Sequence, residues 1–315
     1  MHDGLKLAVK RLAVGLSILL LVSSLLFFVS HAMGDPVRTL LPPDATEAER
    51  ETMRHALGLD APAIVRFGLY MLRTITLQFG NSYKLGEPVL TIALPYLWAT
   101  TKLIALVLPI GIVGGIGLGF LGSYLPRKAD KQLTKVLLML HSIPGFVPCI
   151  LAIELFCVHL KWFPPSGSQG IRSLVLPVLL LAAAEAIKIS LLFRSKLQEV
   201  AKEKYIVTAK AKSVSEFRFR SQYLLRPALS LIFSFVSVQV GVLLSSTIVV
   251  EAIFSYPGIG NLTVSSIASH DLPLIQACLI FTTLLFIVSR FVLDLIHPLI
   301  DPRVKQKQLG ETNQW

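Results

Sequence analysis

Six long apolar runs constrain this chain more than any other feature of its sequence. Each has about 20 residues and few charges, which is the length that an α-helix needs to cross the hydrocarbon core of a membrane. Only 16% of the 315 residues are charged and 53% are hydrophobic, so one soluble core cannot hide all of these runs. The sequence therefore predicts an all-α integral membrane protein with six transmembrane helices, at Leu12–Val29, Trp98–Leu121, Val136–Val158, Leu174–Phe193, Ala228–Val250 and Leu274–Ile296. Pro144 and Pro148 are expected to interrupt the third of them.

The first run could also be interpreted as a secretory signal peptide, because Lys6, Lys10 and Arg11 precede it. However, its uncharged stretch is long for the apolar part of a signal peptide, and no A-x-A cleavage pattern follows it. We interpret it as a retained membrane helix.

The net charge of +11 is distributed unevenly between the segments that join the runs. Residues 1–11, 123–135, 194–226 and 297–315 together carry +12, whereas residues 34–97, 159–173 and 251–273 together carry −1. Under the positive-inside rule, this asymmetry predicts that both termini and residues 194–226 are cytoplasmic. The charge therefore reflects membrane topology, and the oily composition does not favour a nucleic-acid partner.

These boundaries divide the chain into four regions. Residues 1–33 form the N-terminal tail and first span, and 34–97 form a folded extracytoplasmic segment of short helices. Residues 98–296 form the membrane core, and 297–315 form a cytoplasmic tail. Within the second region we expect a helix at Thr46–Leu57, where Thr46 and Glu49 have the spacing of a capping box.

Glycines recur in the second span. The stretch from Gly117 to Gly122 matches G-x-G-x-x-G, but it lacks the preceding strand and the soluble βαβ unit that a dinucleotide site needs. Gly111, Gly115 and Gly119 recur every four residues instead, which predicts a smooth face for close packing of another membrane helix.

Catalytic and metal-binding motifs are not found in the sequence. There is no G-x-x-x-x-G-K-[ST], H-E-x-x-H or G-x-S-x-G pattern, so this chain does not itself bind ATP phosphates through a P-loop. The seven histidines are scattered, and Cys149, Cys157 and Cys278 lie in apolar runs without C-x-x-C spacing. We expect no metal and no cofactor on this chain.

Ionisable residues inside the spans are candidates for a substrate path, because charges in a membrane are costly. Glu185 and Lys188 are spaced i,i+3 and can neutralise each other on one helix face, as can Arg290 and Asp294 at i,i+4. We favour simple charge pairing for the second pair. Glu154 and Lys102 have no partner close in sequence, and for Glu154 a path lining and a structural role remain equal alternatives.

The most basic segment contains a helix-prone stretch, Glu199–Phe217, that is too polar for the membrane. Ser213 to Glu216 offer a break and a fresh N-cap. Such a cytoplasmic helix–turn–helix suits docking onto a partner protein, although a solvated loop near anionic lipid is the alternative.

Several motifs in order resemble the inner-membrane permease subunits of bacterial ABC importers in the dipeptide/oligopeptide/nickel group. The resemblance covers nearly the whole chain, and it rests on these segments: Ala56–Asp60 with Pro62, Phe79–Tyr83, Tyr205–Ser213, Val250–Gly260, Asp271 with Pro273 and Gln276, and Asp301–Arg303. It implies the type I importer permease fold. The chain departs from the family pattern at Ser213, where a glycine is usual, and at Pro227, which lies earlier than the family's proline.

The resemblance also implies site residues. Docking to an ATPase subunit would involve Tyr205, Thr208, Ala209, Ala211, Lys212, Ser213, Val214, Glu216 and Phe217. Candidates for the translocation path or gate are Glu154, Glu185 and Lys188 from their positions in the spans, together with Glu251, Phe254, Pro257, Gly258 and Gly260.

Partners follow from the same resemblance. They would be a second, homologous permease, two ATPase subunits that bind ATP and Mg, and an extracytoplasmic substrate-binding protein, all at the bacterial inner membrane. The cargo would be peptides, nickel or metal chelates such as opine-type metallophores, moved by alternating access. The other function class is a free-standing secondary transporter driven by an ion gradient, for which the charges in the spans argue, although no inverted repeat is evident. A membrane enzyme would need a catalytic cluster that the sequence does not offer.

Overall fold

The structure is a computed structural model that describes residues 2–32, 37, 41, 44–57, 60–164, 166–167, 170–206, 215 and 218–300. Helices dominate it. They are α1 His2–Ala32, α2 Glu47–Leu57, α3 Ala63–Ile75, α4 Val89–Gly122, α5 Arg127–His141, α6 Phe146–Ala152, α7 Ile171–Val200, α8 Arg226–Ile253, α9 Ile259–Ala268 and α10 Leu272–Ile300. Two π-helices, Ile153–His159 and Phe219–Leu225, continue α6 and precede α8.

The chain forms two compact units, and both α4 and α10 pass through the two. The first consists of Met1–Thr100 and Pro257–Ile287. Its core joins the start of α4, through Val89 and Ala93, to α9 and to the first turns of α10. Because the N-terminal N–H groups of a helix lack partners within the helix, the N–H of Ile259 donates instead to the buried Thr100 hydroxyl at 2.8 Å.

The second unit consists of Thr101–Tyr256 and Val288–Trp315. Its core lies between α7 and α8, where the fully buried Phe193 packs in one cluster with Val200, Ala228 and Ile232. Side chains in the C-terminal half of α4, among them Ile112 and Phe120, pack against this cluster. Such contacts matter because packing, rather than water exclusion, stabilises helix pairs in lipid.

Each predicted span corresponds to a helix or a helix pair. By length and composition, four segments can cross a membrane singly: Val89–Gly122, Ile171–Val200, Ile232–Ile253 and Leu272–Leu293. The first predicted span lies within α1, whose described apolar part is Ala13–Phe28. The third corresponds to α5 and the segment Phe146–His159, which are bent by 89° relative to each other.

The third span is interrupted, as the sequence predicted, and the break at residues 142–145 contains Pro144, which cannot continue a helical hydrogen-bond ladder. Two features differ from the sequence prediction. The region expected as a loop between Glu251 and Pro273 contains α9. The second span begins at Val89 rather than at Trp98, so the expected boundary after residue 97 falls inside α4.

The capping box of α2 is confirmed. The Glu49 carboxylate accepts hydrogen bonds from the Thr46 backbone N–H at 2.8 Å and from the Thr46 hydroxyl at 2.9 Å. These two bonds, the backbone one foremost, lower the pKa of Glu49. The helix start was predictable because this signal is local in sequence.

Candidate functional site

The glycine face of α4 lies directly on α7. A Cβ added to Gly111 would come within 2.9 Å of Glu185 Cβ, and one added to Gly115 within 2.6 Å of Ile189 Cβ. A Cβ added to Gly119 would come within 2.5 Å of Cδ1 of the Phe193 ring. Because both helices advance four residues per contact, the two backbones approach closely over about two turns, as the spacing predicted.

Glu185 and Lys188 form an ion pair inside the α7 span. The Lys188 Nζ lies 2.7 Å from Glu185 Oε1, and the side chains are only 17% and 6% exposed, respectively. Removing one partner would leave an uncompensated buried charge, which is strongly unfavourable. The two charges therefore cancel, and the ion pair forms a polar site beside the glycine face of α4.

Arg194 lies in the C-terminal part of the same helix. Its Nη2 donates to the backbone oxygen of Asp130 and to the Thr134 hydroxyl, both at 2.8 Å, and also to the Asp130 carboxylate. Arg194 is 5% exposed, and within the described part of the chain its Nε and Nη1 have no hydrogen-bond partner. This buried guanidinium clamps α7 to α5, 64 residues away in sequence.

The loop between α7 and α8 begins at a residue that is packed in the core. Ile206 is 2% exposed and belongs to the core cluster of the second unit. Its neighbour Tyr205 donates through its hydroxyl to the backbone oxygen of Tyr223 at 3.4 Å, so the two ends of the loop touch. On the far side, the Arg220 guanidinium lies 4.3 Å from the centroid of the Tyr124 ring, and donates to the backbone oxygen of Ser123.

Of the predicted docking residues, only Tyr205 is described. The others lie outside the described residues: Thr208, Ala209, Ala211, Lys212, Ser213, Val214, Glu216 and Phe217. Asp301–Arg303 also lies outside them, as does the side chain of Asp294, so its expected pairing with Arg290 stays a prediction. Ile206 was not among the predicted residues, although its apolar side chain in a polar stretch was a signal that could have found it.

Glu154 has a partner, contrary to the sequence prediction. Its Oε1 lies 3.0 Å from His159 Nε2, five residues further on. The prediction considered i,i+3 and i,i+4 spacings, but this segment is a π-helix, whose wider turn brings residues i and i+5 together. The two side chains are 60% and 67% exposed in the chain, so Glu154 forms a separate pair from Glu185.

The candidate gate residues fall at the end of α8 and the start of α9. Glu251 and Phe254 are buried at the C-terminal end of α8, and the Tyr256 N–H donates to the Glu251 backbone oxygen at 2.9 Å. Burial, and secondarily the charge of Glu251, raise the pKa of Tyr256 to about 12. Pro257, which belongs to the first unit, precedes α9. Gly258 is the N-cap of α9 and has an extended backbone, and Gly260 is buried in the first turn of the helix.

A second buried carboxylate joins two of the family motifs. Asp271, 1% exposed, accepts hydrogen bonds from the Ser82 hydroxyl and from the backbone N–H groups of Tyr83 at 3.2 Å and Lys84 at 3.3 Å. It also accepts from the N–H of Leu274 at 3.3 Å, which caps α10. Burial first, and the charge of Asp271 second, raise the pKa of Tyr83. We call this arrangement the Asp271 latch.

Within the described residues, no group of three or more His, Cys, Asp or Glu side chains could hold a metal ion. The polar chemistry that the structure does bring together therefore consists of ion pairs and capped helix ends. These features position helices and line surfaces.

Comparison with known proteins identifies the kind of molecule. Residues 111–306 match the family model described as "Binding-protein-dependent transport system inner membrane component". This chain belongs to that family. It is a multi-pass inner-membrane permease subunit of a binding-protein-dependent ABC importer, non-catalytic itself, and the ATPase resides on separate subunits. Membership implies ATPase subunits and a substrate-binding protein as partners.

Relatives align along almost all of the permease. A putative peptide transport system permease protein of Brucella abortus (strain 2308) is 32% identical over 309 residues, covering 95% of this chain and 98% of that protein. The glutathione transport system permease protein GsiC of Escherichia coli (strain K12) is 33% identical over 308 residues, covering 96% and 100%. An inward-facing structure of the MetNI methionine ABC transporter superposes with a TM-score of 0.55 at 17% identity, covering 67% of this chain and 97% of that one. That likeness supports the type I permease fold.

Proposed function

We propose that this permease forms one half of a heterodimeric translocation path for peptides, working by alternating access. Two kinds of relative support the cargo class, because one is named for peptide transport and the other for glutathione, itself a small peptide. Nickel and metal chelates are the competing cargo. Selection among them would lie largely with the binding protein, since the described chain offers no cluster of metal ligands.

The observation that carries the mechanism is the burial of Ile206 at the base of the loop between α7 and α8. A loop that merely hung in solvent would transmit little force. Here Ile206 packs in the cluster that holds α7 to α8, and the Tyr205 hydroxyl donates to the backbone oxygen of Tyr223, in the π-helix that precedes α8. A push on residues 205–219 by an ATPase subunit would therefore tilt both helices together, because a packed core responds as a unit.

The orientation in this proposal follows from charge. Residues 194–226 carry a net charge of +6, which supports a cytoplasmic position for the loop and for both termini. The ATPase subunits would then dock on the side where nucleotide is available, and the binding protein would deliver peptide from the opposite side.

The path in this proposal is lined by the Glu185–Lys188 pair and gated by residues Glu251 to Gly260. A paired charge is the form in which a membrane helix tolerates polar groups. An ammonium and a carboxylate side by side can also exchange partners with the two termini of a zwitterionic peptide. We expect the exchange to be transient, since tight binding would prevent release.

Uptake of labelled peptide tests the docking role. The complete transporter, with its partner permease, ATPases and binding protein, would carry Ala209→Glu and Ala211→Glu in this chain. We expect ATP-dependent uptake to be lost, and recruitment of the ATPases to membranes to fall, because bulky acids would prevent docking. The matched control is Lys131→Glu, which makes the same change of charge at an exposed position on α5, outside the docking stretch. Unchanged uptake and recruitment would contradict the docking role.

Two further measurements test the remaining parts of the proposal. Thermal shifts of the binding protein against peptides and metal chelates determine the cargo class. Reconstitution of this chain alone in proteoliposomes, with an ion gradient, distinguishes an importer subunit from a secondary transporter. We expect no transport by the chain alone, and gradient-driven uptake would overturn the proposal.

A further inference from the structure

Helix α3 has two apolar faces, and the described residues of the chain cover only one of them. On the covered face, Phe67 lies edge-on to Phe27 of α1 with ring centroids 5.2 Å apart, and Tyr70 lies 5.6 Å from the same ring. Phe67 also stacks on Phe28 at 6.3 Å. These contacts fix α3 against the end of the first membrane helix.

The second face is a row of exposed apolar side chains. Ile64 is 80% exposed and Leu72 is 59% exposed, and the row is completed by Val65, Leu69 and Ile75. Their spacing places them on one side of the helix, over a length of about 17 Å at 1.5 Å per residue. We call these five residues the apolar row. A continuous apolar surface of this kind marks a contact with another body rather than with water.

The depth of α3 in the membrane follows from contacts within the first unit. Gly15 of α1 lies against Ile287 of α10, since a Cβ at Gly15 would be 2.9 Å from Ile287 Cγ2. Phe27 is twelve residues further along α1, about 18 Å from Gly15. The chain after α3 reaches the Asp271 latch at the start of α10. Hence α1 runs from Ile287 toward the beginning of α10.

Ile275 is twelve residues before Ile287 on α10, just as Phe27 is twelve residues after Gly15 on α1. Phe27 and Ile275 therefore lie at about the same depth in the membrane. The apolar span of α10 begins at Leu272, so Ile275 is about 5 Å inside its edge. Helix α3, which packs on Phe27, therefore lies where hydrocarbon gives way to lipid headgroups. Amphipathic helices that lie flat on membranes bury their apolar face about 5–10 Å into this boundary.

The charges of α3 fit the same position. Arg66 and Arg73 are its only charged residues, and their spacing of seven puts them on one side, next to the apolar row. A guanidinium forms bidentate contacts with phosphate, and the arginine stem can lie along apolar surface while the head reaches the headgroups. The helix thus pairs an apolar side with cations that complement lipid phosphate.

We propose that α3 is an interfacial helix. Its apolar row enters the edge of the hydrocarbon on the side where α10 begins, and Arg66 and Arg73 contact lipid phosphates. The helix would then hold the segment that leads to the Asp271 latch at a fixed height on the bilayer. This proposal does not depend on the cargo or on the docking of an ATPase.

Spin-label accessibility in the full chain tests the proposal. Labels are attached at Leu72→Cys and Arg73→Cys in nanodiscs of phosphatidylethanolamine and phosphatidylglycerol, with and without the partner permease. Leu21→Cys, in the middle of α1, is the lipid reference, and Glu51→Cys, on the polar helix α2, is the water reference. The native cysteines are buried, so the unmodified chain gives the labelling background.

We expect the label at position 72 to collide readily with oxygen and poorly with a water-soluble nickel chelate. Its oxygen-to-nickel ratio would approach that of Leu21→Cys and lie several-fold above that of Glu51→Cys. The label at position 73 would collide with the nickel chelate several-fold more often than its neighbour. A label at position 72 that is as accessible to nickel as the water reference would overturn the proposal. Shielding from both reagents would also overturn it, because a protein would then cover the row.

Discussion

At the scale of single residues, close packing of α4 on α7 depends on glycines that have no room for a side chain. We predict that Gly115→Ala destabilises the permease by about 1–3 kcal/mol, the usual cost of overpacking a tight contact. The added methyl group would meet Ile189 Cβ at 2.6 Å and the backbone oxygen of Ala186 at 2.9 Å, and the backbone cannot move aside cheaply. Reversible unfolding in mixed SDS and detergent micelles measures the change.

Gly117 is the matched control on the same helix, two residues away. A Cβ there meets nothing within 4 Å, so Gly117→Ala should be neutral or stabilise slightly through its better helix propensity. Equal effects at both positions would mean that helix propensity, rather than the contact with α7, determines the outcome.

The Asp271 latch yields a second prediction at this scale. Asp271→Ala should lower the free energy of unfolding by at least about 1–3 kcal/mol, because it leaves buried donors without an acceptor. Ser82→Ala should cost less, since it removes one donor and leaves the carboxylate its backbone partners. The exposed carboxylate of Glu87, in the same loop, is the control, and Glu87→Ala should change the same unfolding curve little. If Asp271→Ala and Glu87→Ala lowered the free energy of unfolding by similar amounts, the result would argue against a specific latch.

Pairs close in sequence were predictable because helix geometry alone brings them together. Glu185 with Lys188 and Thr46 with Glu49 both follow from a spacing of three residues. The partner of Glu154 was missed because a π-helix changes that geometry. Arg194 with Asp130, and Ser82 with Asp271, join residues 64 and 189 positions apart, and no local rule connects them.

At the scale of elements, the base of the loop between α7 and α8 is where motion would pass from a partner to the membrane helices. We predict that Ile206→Ala uncouples ATP hydrolysis from uptake. Deleting most of a buried isoleucine costs about 2–5 kcal/mol of local packing, so the loop would move without carrying α7 and α8 with it. In the assembled transporter, the number of substrates taken up per ATP hydrolysed should fall, while ATPase binding is retained.

The neighbouring residue provides the control for this experiment. Tyr205→Phe removes a single 3.4 Å hydrogen bond from a side chain that is 41% exposed, and should leave the ratio of uptake to hydrolysis close to normal. Loss of ATPase binding by Ile206→Ala would instead indicate that the loop had lost its shape altogether.

Element boundaries show where sequence patterns reach their limit. The apolar runs located the four helices that can each cross a membrane, and the bent pair, because hydropathy measures transfer into lipid directly. They did not predict that α7 continues to Val200, beyond the apolar run, where buried Arg194 and Leu197 hold its last turns. Nor did they predict the 89° bend after α5, since a proline marks a break but the packing around it sets the angle.

At the scale of the whole molecule, charge distribution predicts which surface faces the cytoplasm. We expect Lys128→Cys to be cytoplasmic and Lys84→Cys to be extracytoplasmic, because residues 123–135 carry a net charge of +3 and residues 34–97 carry −1. Both lysines are exposed, and the native cysteines are buried, so each variant presents one reactive thiol at a known place. A membrane-impermeant maleimide should label Lys84→Cys in cells whose inner membrane is intact, and should label Lys128→Cys only after that membrane is permeabilised.

The reverse pattern would place the basic loop outside, away from any ATPase, and would contradict the importer mechanism as well as the topology. Labelling of both thiols in intact cells would indicate mixed insertion, which a charge difference of this size should prevent.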